Sequence, residues 1–139
     1  MRIELNRVND AFHFEAKGAS EVIVHIDAAE NIGGNNAGAR PMELLLMGLG
    51  GCTSIDVILI LKKQRQIIED LKLVIEGERE KLEGTEMTPF KKINVHFVFK
   101  GNLDLNKVEK AIDLSMNKYC SATAQFAPSA TITHTVAIN

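Results

Sequence analysis

RPMELLLMGLGGCTSIDVILIL, residues 40–61, is apolar on almost every side if it is wound as a helix. Pro41 suits a first helical turn, where its missing N–H would be unbonded anyway, and Glu43 complements the positive end of the helix dipole. From Leu44 to Leu61 the run is broken only by Gly48, Gly50, Gly51, Cys52, Thr53, Ser54 and Asp56. A helix of that character is a central one, covered all round by sheet or by another subunit. Its length approaches the roughly 20 residues that cross a bilayer, yet Asp56 falls inside it, Glu43 borders it, and the flanking sequence is strand-rich, so no membrane span is expected. Each glycine costs such a helix about 1 kcal/mol relative to alanine. The expected compensation is the close approach of another backbone just before Cys52.

Outward from this helix the periodicity changes from helical to alternating. On the N-terminal side Ile3 and Leu5 alternate with Arg2, Glu4 and Asn6, and Asn9-Asp10 offers a turn. Phe12 and Phe14 repeat the alternation, Gly18-Ala19-Ser20 breaks it, and Val22, Val24 and Ile26 resume it. Three antiparallel strands in succession are predicted. Residues 31–39 hold three glycines and three asparagines without periodicity and read as a loop. On the C-terminal side, Leu71, Leu73 and Ile75 mark one strand, and Ile93, Val95, Phe97 and Phe99 mark another. Asp104 is placed to cap a helix from Leu105 to about Tyr119, with Cys120 at its end, and Ile132, His134, Val136 and Ile138 form a last strand. The order of elements is α+β, in one domain spanning residues 1–139, with no repeat and no linker.

A chain of 139 residues with 45% hydrophobic side chains can bury one core. The net charge of −2 supplies no clustered basic face, which excludes nucleic acid and acidic membrane as expected partners. Met1 to Val8 alternates charged and apolar residues instead of forming a secretory leader, so a cytoplasmic location is expected. Two cysteines in a reducing compartment leave three readings: small buried hydrophobes, metal ligands or redox chemistry. A closed zinc site wants four nitrogen or sulfur ligands in close-spaced sets, and neither cysteine has such a companion, so metal is the weakest of the three. No cofactor is called for. His13, His25 and His96 fall on the polar side of their alternations and should face solvent, whereas His134 shares its side with Ile132, Val136 and Ile138 and should be hydrogen-bonded within the fold. Asp56 stands one helical turn beyond Cys52, where an anion raises a thiol pKa; it is expected to pair across a dimer or to cap hidden polar groups.

The run from Arg40 to Thr53, with its proline, glutamate, apolar stretch and cysteine, resembles the central-helix signature of the OsmC/Ohr superfamily, and Tyr119-Cys120-Ser121 resembles that family's second cysteine motif. Element order and the spacing between the cysteines extend the resemblance along the whole chain. It implies an OsmC-like fold, with antiparallel sheets wrapped around a long buried central helix in an intertwined homodimer whose sites lie at the subunit interface. It implies also that Cys52 is the attacking thiolate, that Cys120 closes a disulfide with it, and that the substrate is a small organic hydroperoxide. An unidentified thiol reductant would reopen that disulfide.

An attacking thiol needs its charged form stabilised, and a cysteine in mid-helix is too far from the helix start for the dipole to do so. A cation is required instead. Family peroxidases use an N-terminal arginine and a glutamate on the cysteine helix. Here Glu43 stands nine residues before Cys52, one position off the family's acid, whose place Met42 holds, and the arginine has no counterpart. Arg40, which flanks the helix start, is the candidate cation. These departures point to the YhfA-like branch. They keep a second function open, a non-catalytic OsmC-like dimer that binds a small apolar ligand at the subunit interface.

Overall fold

A computed structural model describes residues 1–139 and divides them into two compact units, Met1–Leu45 and Leu46–Asn139. The boundary runs through a helix, which is why no linker marks it in the sequence.

In the N-terminal unit, strands β1 (Glu4–Arg7), β2 (Phe14–Lys17) and β3 (Val24–Ile26) form the expected antiparallel sheet, in the order β1-β2-β3. Leu5 stands opposite Ala16, and Phe14 opposite Ile26. The loop that follows carries a short 3-10 turn, Glu30–Ile32, and is organised by Asp27, whose side chain is buried. One carboxylate oxygen accepts the N–H of Ala28 at 2.8 Å; the other accepts those of Asn35 at 3.1 Å and Ala37 at 3.0 Å. These donors, Ala37 foremost, hold the Asp27 carboxyl below the usual carboxylate range against the opposing effect of burial, with His13 adding to them. His13 and His25 pair with each other at 2.9 Å.

Helix α1 (Pro41–Lys63) begins at the proline, as expected. Within the C-terminal unit its buried stripe is Leu49, Gly50, Thr53, Val57 and Leu61, the four-residue spacing of one helix face. The sheet in this unit comprises β4 (Asp70–Arg79), β5 (Phe90–Lys100) and β6 (Thr131–Ile138), in that order. β5 is central, and its Ile93, Val95, Phe97 and Phe99 are all buried, each apolar side chain contributing about 1.5–3 kcal/mol. Gly50 lets α1 lie against β4: a Cβ there would stand 2.4 Å from Ile75 Cδ1.

The structure corrects two expectations. β4 and β5 are antiparallel, but β5 and β6 run parallel, with Val95 opposite His134. The physical reason is the intervening helical segment, long enough to carry the chain back to the starting edge as a crossover must. The second concerns the glycines of α1, since the C-terminal unit covers that helix along one stripe only and leaves its other side for the second subunit that the sequence allowed. Ile55 is 62% exposed and Met47 56% exposed, while Gly48 and Gly51 have nothing within 4 Å of where a side chain would begin. Close approach is thus realised at Gly50, by a side chain, and the other two glycines open outward.

Candidate active site

Cys52 and Asp56 sit one turn apart on α1 and therefore on one face, each half-buried. Their hydroxylic neighbours are spent inside the helix. Thr53 donates to the carbonyl of Leu49 at 3.0 Å, and Ser54 to that of Gly50 at 2.6 Å.

The third member of the cluster arrives from a distant part of the chain. Helix α2 (Leu105–Leu114) starts where Asp104 accepts the N–H of Asn106 at 2.8 Å and that of Lys107 at 3.3 Å, the predicted cap. Val108, Ala111 and Ile112 bury its apolar stripe. The helix does not continue regularly to Tyr119, as the sequence suggested. Residues Ser115–Tyr119 widen into a π-helical turn, in which the N–H of Cys120 reaches back five residues to the carbonyl of Ser115 at 2.7 Å. Cys120 then turns extended and becomes the N-cap of a further short helix, α3 (Ser121–Phe126), its sulfur accepting the N–H of Thr123 at 3.3 Å. The sequence gives this helix no start signal, because a cysteine in a position usually held by serine, threonine, asparagine or aspartate is a poor capping residue.

The result is a cluster in which Cys52 Sγ, Cys120 Sγ and a carboxylate oxygen of Asp56 all lie within 4.8 Å of one another, both cysteines being free thiols. Ser115, fully buried, donates its hydroxyl to Asp56 Oδ2 at 3.0 Å and so fixes the carboxylate. Asp56 thus caps a hidden polar group, one of the two roles expected of it. Burial pushes the Cys120 thiol up, and proximity to Cys52 adds to this, while the hydroxyl and N–H of Thr123 oppose it. A cleft of about 470 Å³ opens beside Asp56, lined by Leu59, Ile60, Lys63, Leu114 and Tyr119. A second hollow of about 310 Å³ borders Cys120 and includes Met116, Lys118 and Thr123.

Of the residues singled out in the sequence, Cys52 and Cys120 are brought together. Arg40 and Glu43 are brought to each other: the Glu43 carboxylate accepts the Arg40 N–H at 2.8 Å, which closes the first turn of α1, and the Arg40 guanidinium donates to Asn36. His134 is half-buried and bonded to Glu109 at 3.0 Å, in keeping with its expected hydrogen-bonded role.

The family profile described as OsmC-like protein matches residues 33–135. Protein YhfA of Escherichia coli (strain K12) is 41% identical over 97 residues, covering 68% of this chain and 69% of YhfA. Among solved structures, a hypothetical protein from Aquifex aeolicus VF5 superposes with a TM-score of 0.80 at 31% identity, over 99% of this chain and 96% of that one. The organic hydroperoxide resistance protein OhrB of Bacillus subtilis shares the fold with a TM-score of 0.72 at 15% identity, over 98% of this chain and 96% of OhrB. The chain belongs to the OsmC-like protein family and is YhfA-like within it.

Proposed function

We propose that this member of the OsmC-like family is a thiol-dependent peroxidase that reduces small organic hydroperoxides in the cytoplasm. The observation that carries this reading is the meeting of Cys52 and Cys120, 68 residues apart in sequence, with their sulfurs within 4.8 Å. The Cys52 thiolate attacks the outer oxygen of the hydroperoxide, the O–O bond breaks, and the alkoxide takes a proton to leave as the alcohol. Cys52 is left as a sulfenic acid. Cys120, deprotonated as it attacks, displaces hydroxide from that sulfur; hydroxide takes the proton and leaves as water, and a disulfide remains. A dithiol reductant returns two electrons and two protons to restore both thiols. Cys52 is the better attacker of the two, being half-exposed, while a buried Cys120 with a raised pKa keeps its proton until the sulfenic acid forms. The apolar side chains of the cleft beside Asp56 suit an alkyl substituent.

The functional unit in this reading is a homodimer. The uncovered apolar face of α1, with Ile55 and Met47 exposed and open space over Gly48 and Gly51, supports a second copy as its cover. Arg40, chosen because it flanks the start of the cysteine helix, and Glu43, one position off the family's acid, are retained as organisers of the thiolate. Slower thiol oxidation in Arg40→Gln and Glu43→Gln is the result expected.

One observation favours the second reading, a non-catalytic dimer that binds a small apolar ligand. The carboxylate of Asp56 lies within 4.8 Å of both sulfurs, an anion where a peroxide-reducing thiol calls for a cation. Titration of the reduced protein with cumene hydroperoxide and with hydrogen peroxide separates the two. Rapid loss of both thiols, faster with the organic oxidant and abolished in Cys52→Ser, is expected of the peroxidase. Slow loss without that preference leaves the binding dimer.

A further inference from the structure

We infer that the reduced cluster is also a metal site, in which Cys52, Asp56 and Cys120 together bind one thiophilic divalent cation of the zinc class and leave a fourth position open. This does not depend on turnover of hydroperoxide.

Three features support it. The first is the donor set. Two sulfurs and a carboxylate oxygen lie within 4.8 Å of one another. A tetrahedral zinc ion, with bonds of about 2.3 Å to sulfur and about 2.0 Å to carboxylate oxygen, holds its ligand atoms about 3.5–3.8 Å apart. The approach still required is of the size that side-chain rotation supplies. The second is the scaffold. Cys52 and Asp56 come from one helix face at a spacing of four, and Cys120 from the start of α3 completes a three-ligand set, the number that open zinc sites take from protein. The third is the outer shell. Ser115 donates to the carboxylate at 3.0 Å, and the Thr123 N–H donates to the sulfur of Cys120 at 3.3 Å, so two of the three ligands already have orienting partners.

Charge points the same way. Three acidic groups share a partly buried space, and a divalent cation is the partner that lets all three be anionic together. Thiolate donors select zinc and cobalt over magnesium and calcium. The cleft beside Asp56 gives an ion access. Binding displaces two thiol protons to solvent, since the carboxylate arrives without one. A Cys52–Cys120 disulfide has no thiolate left to offer, so the ion and the disulfide exclude each other.

The test uses the full chain, reduced without oxygen and titrated with cobalt(II) as the optical probe. Expected are saturation at one ion per chain, thiolate-to-cobalt charge-transfer absorption in the near ultraviolet, strong visible bands of four-coordinate cobalt, and release of two protons per ion. Asp56→Asn should keep the two-thiolate absorption but bind at least about tenfold more weakly. Cys52→Ser should lose about half of the charge-transfer intensity. Diamide, which takes two electrons from the sulfurs and two protons from water, should expel the cobalt. Wild-type protein that shows no charge-transfer absorption at one equivalent overturns the inference, as does unchanged affinity in a folded Asp56→Asn. Because the wild-type titration stands without any variant, a variant that fails to fold does not remove the test. Cobalt binding by a protein inert to cumene hydroperoxide would sustain this site and refute only the peroxidase.

Discussion

Asp27 and Asp56 are both carboxylates drawn inside the protein, and their surroundings are opposite. Asp27 is saturated: three backbone N–H groups from its own loop occupy its oxygens within 3.1 Å, and its work is to shape residues 27–37. Asp56 has one donor, the Ser115 hydroxyl, and two thiols for company. A buried anion whose oxygens are filled by backbone serves the fold. One left with bonding capacity beside two sulfurs is equipped for chemistry or ligation, at some expense to stability.

The largest effect should come from Asp27→Asn, because an amide puts an N–H where the loop already presents N–H groups. Calorimetry should find a marked fall in Tm. The pH dependence has a definite sign: a carboxyl whose folded pKa is depressed contributes stability that is complete above the ordinary carboxylate range and is lost as pH falls through the lower folded value. The variant's acid limb should therefore be flatter than that of the wild type. Next is Gly50→Ala, which drives a methyl group against Ile75 and should cost about 1–3 kcal/mol in urea unfolding. A negligible cost would mean that the helix carrying Cys52 is less firmly seated than the Asp27 loop. Ser115→Ala should cost about 1 kcal/mol, since water can reach the half-buried Asp56 in place of the hydroxyl. A loss as large as that of Asp27→Asn would break the contrast between the two aspartates. Smallest is Cys120→Ser. A thiol with a raised folded pKa contributes stability that is complete below the ordinary thiol range and is lost as pH rises through the folded value. Removing that thiol should flatten the alkaline limb.

What the sequence disclosed was local. Pro41 and the apolar run gave α1 its start, alternation located every strand, and Asp104 announced α2, because each signal lies within a few residues of the element it specifies. The partnership of Cys52 with Cys120 was legible only through family resemblance, since no local pattern encodes a contact across 68 positions. Parallel pairing of β6 with β5 is likewise a long-range outcome. The π turn at Ser115–Tyr119 hid for a different reason: it changes the bonding from four residues back to five without changing which side chains are apolar. Asp27 carries no signal in the sequence because its partners are backbone groups, which every residue type except proline supplies alike. Asp56 reads in the sequence as an anion near a thiol but not as a ligand, because Cys120, the third member of the set, reaches it from a distant part of the chain.

The cap on α3 carries a practical corollary. The amide of Thr123 is bonded to Cys120 Sγ, so any event at that sulfur, whether proton loss, coordination or oxidation, alters the field felt by a single backbone proton. Nuclear magnetic resonance of that one nucleus would follow the chemistry continuously, without a dye, and would give thiol, thiolate and disulfide separate signatures.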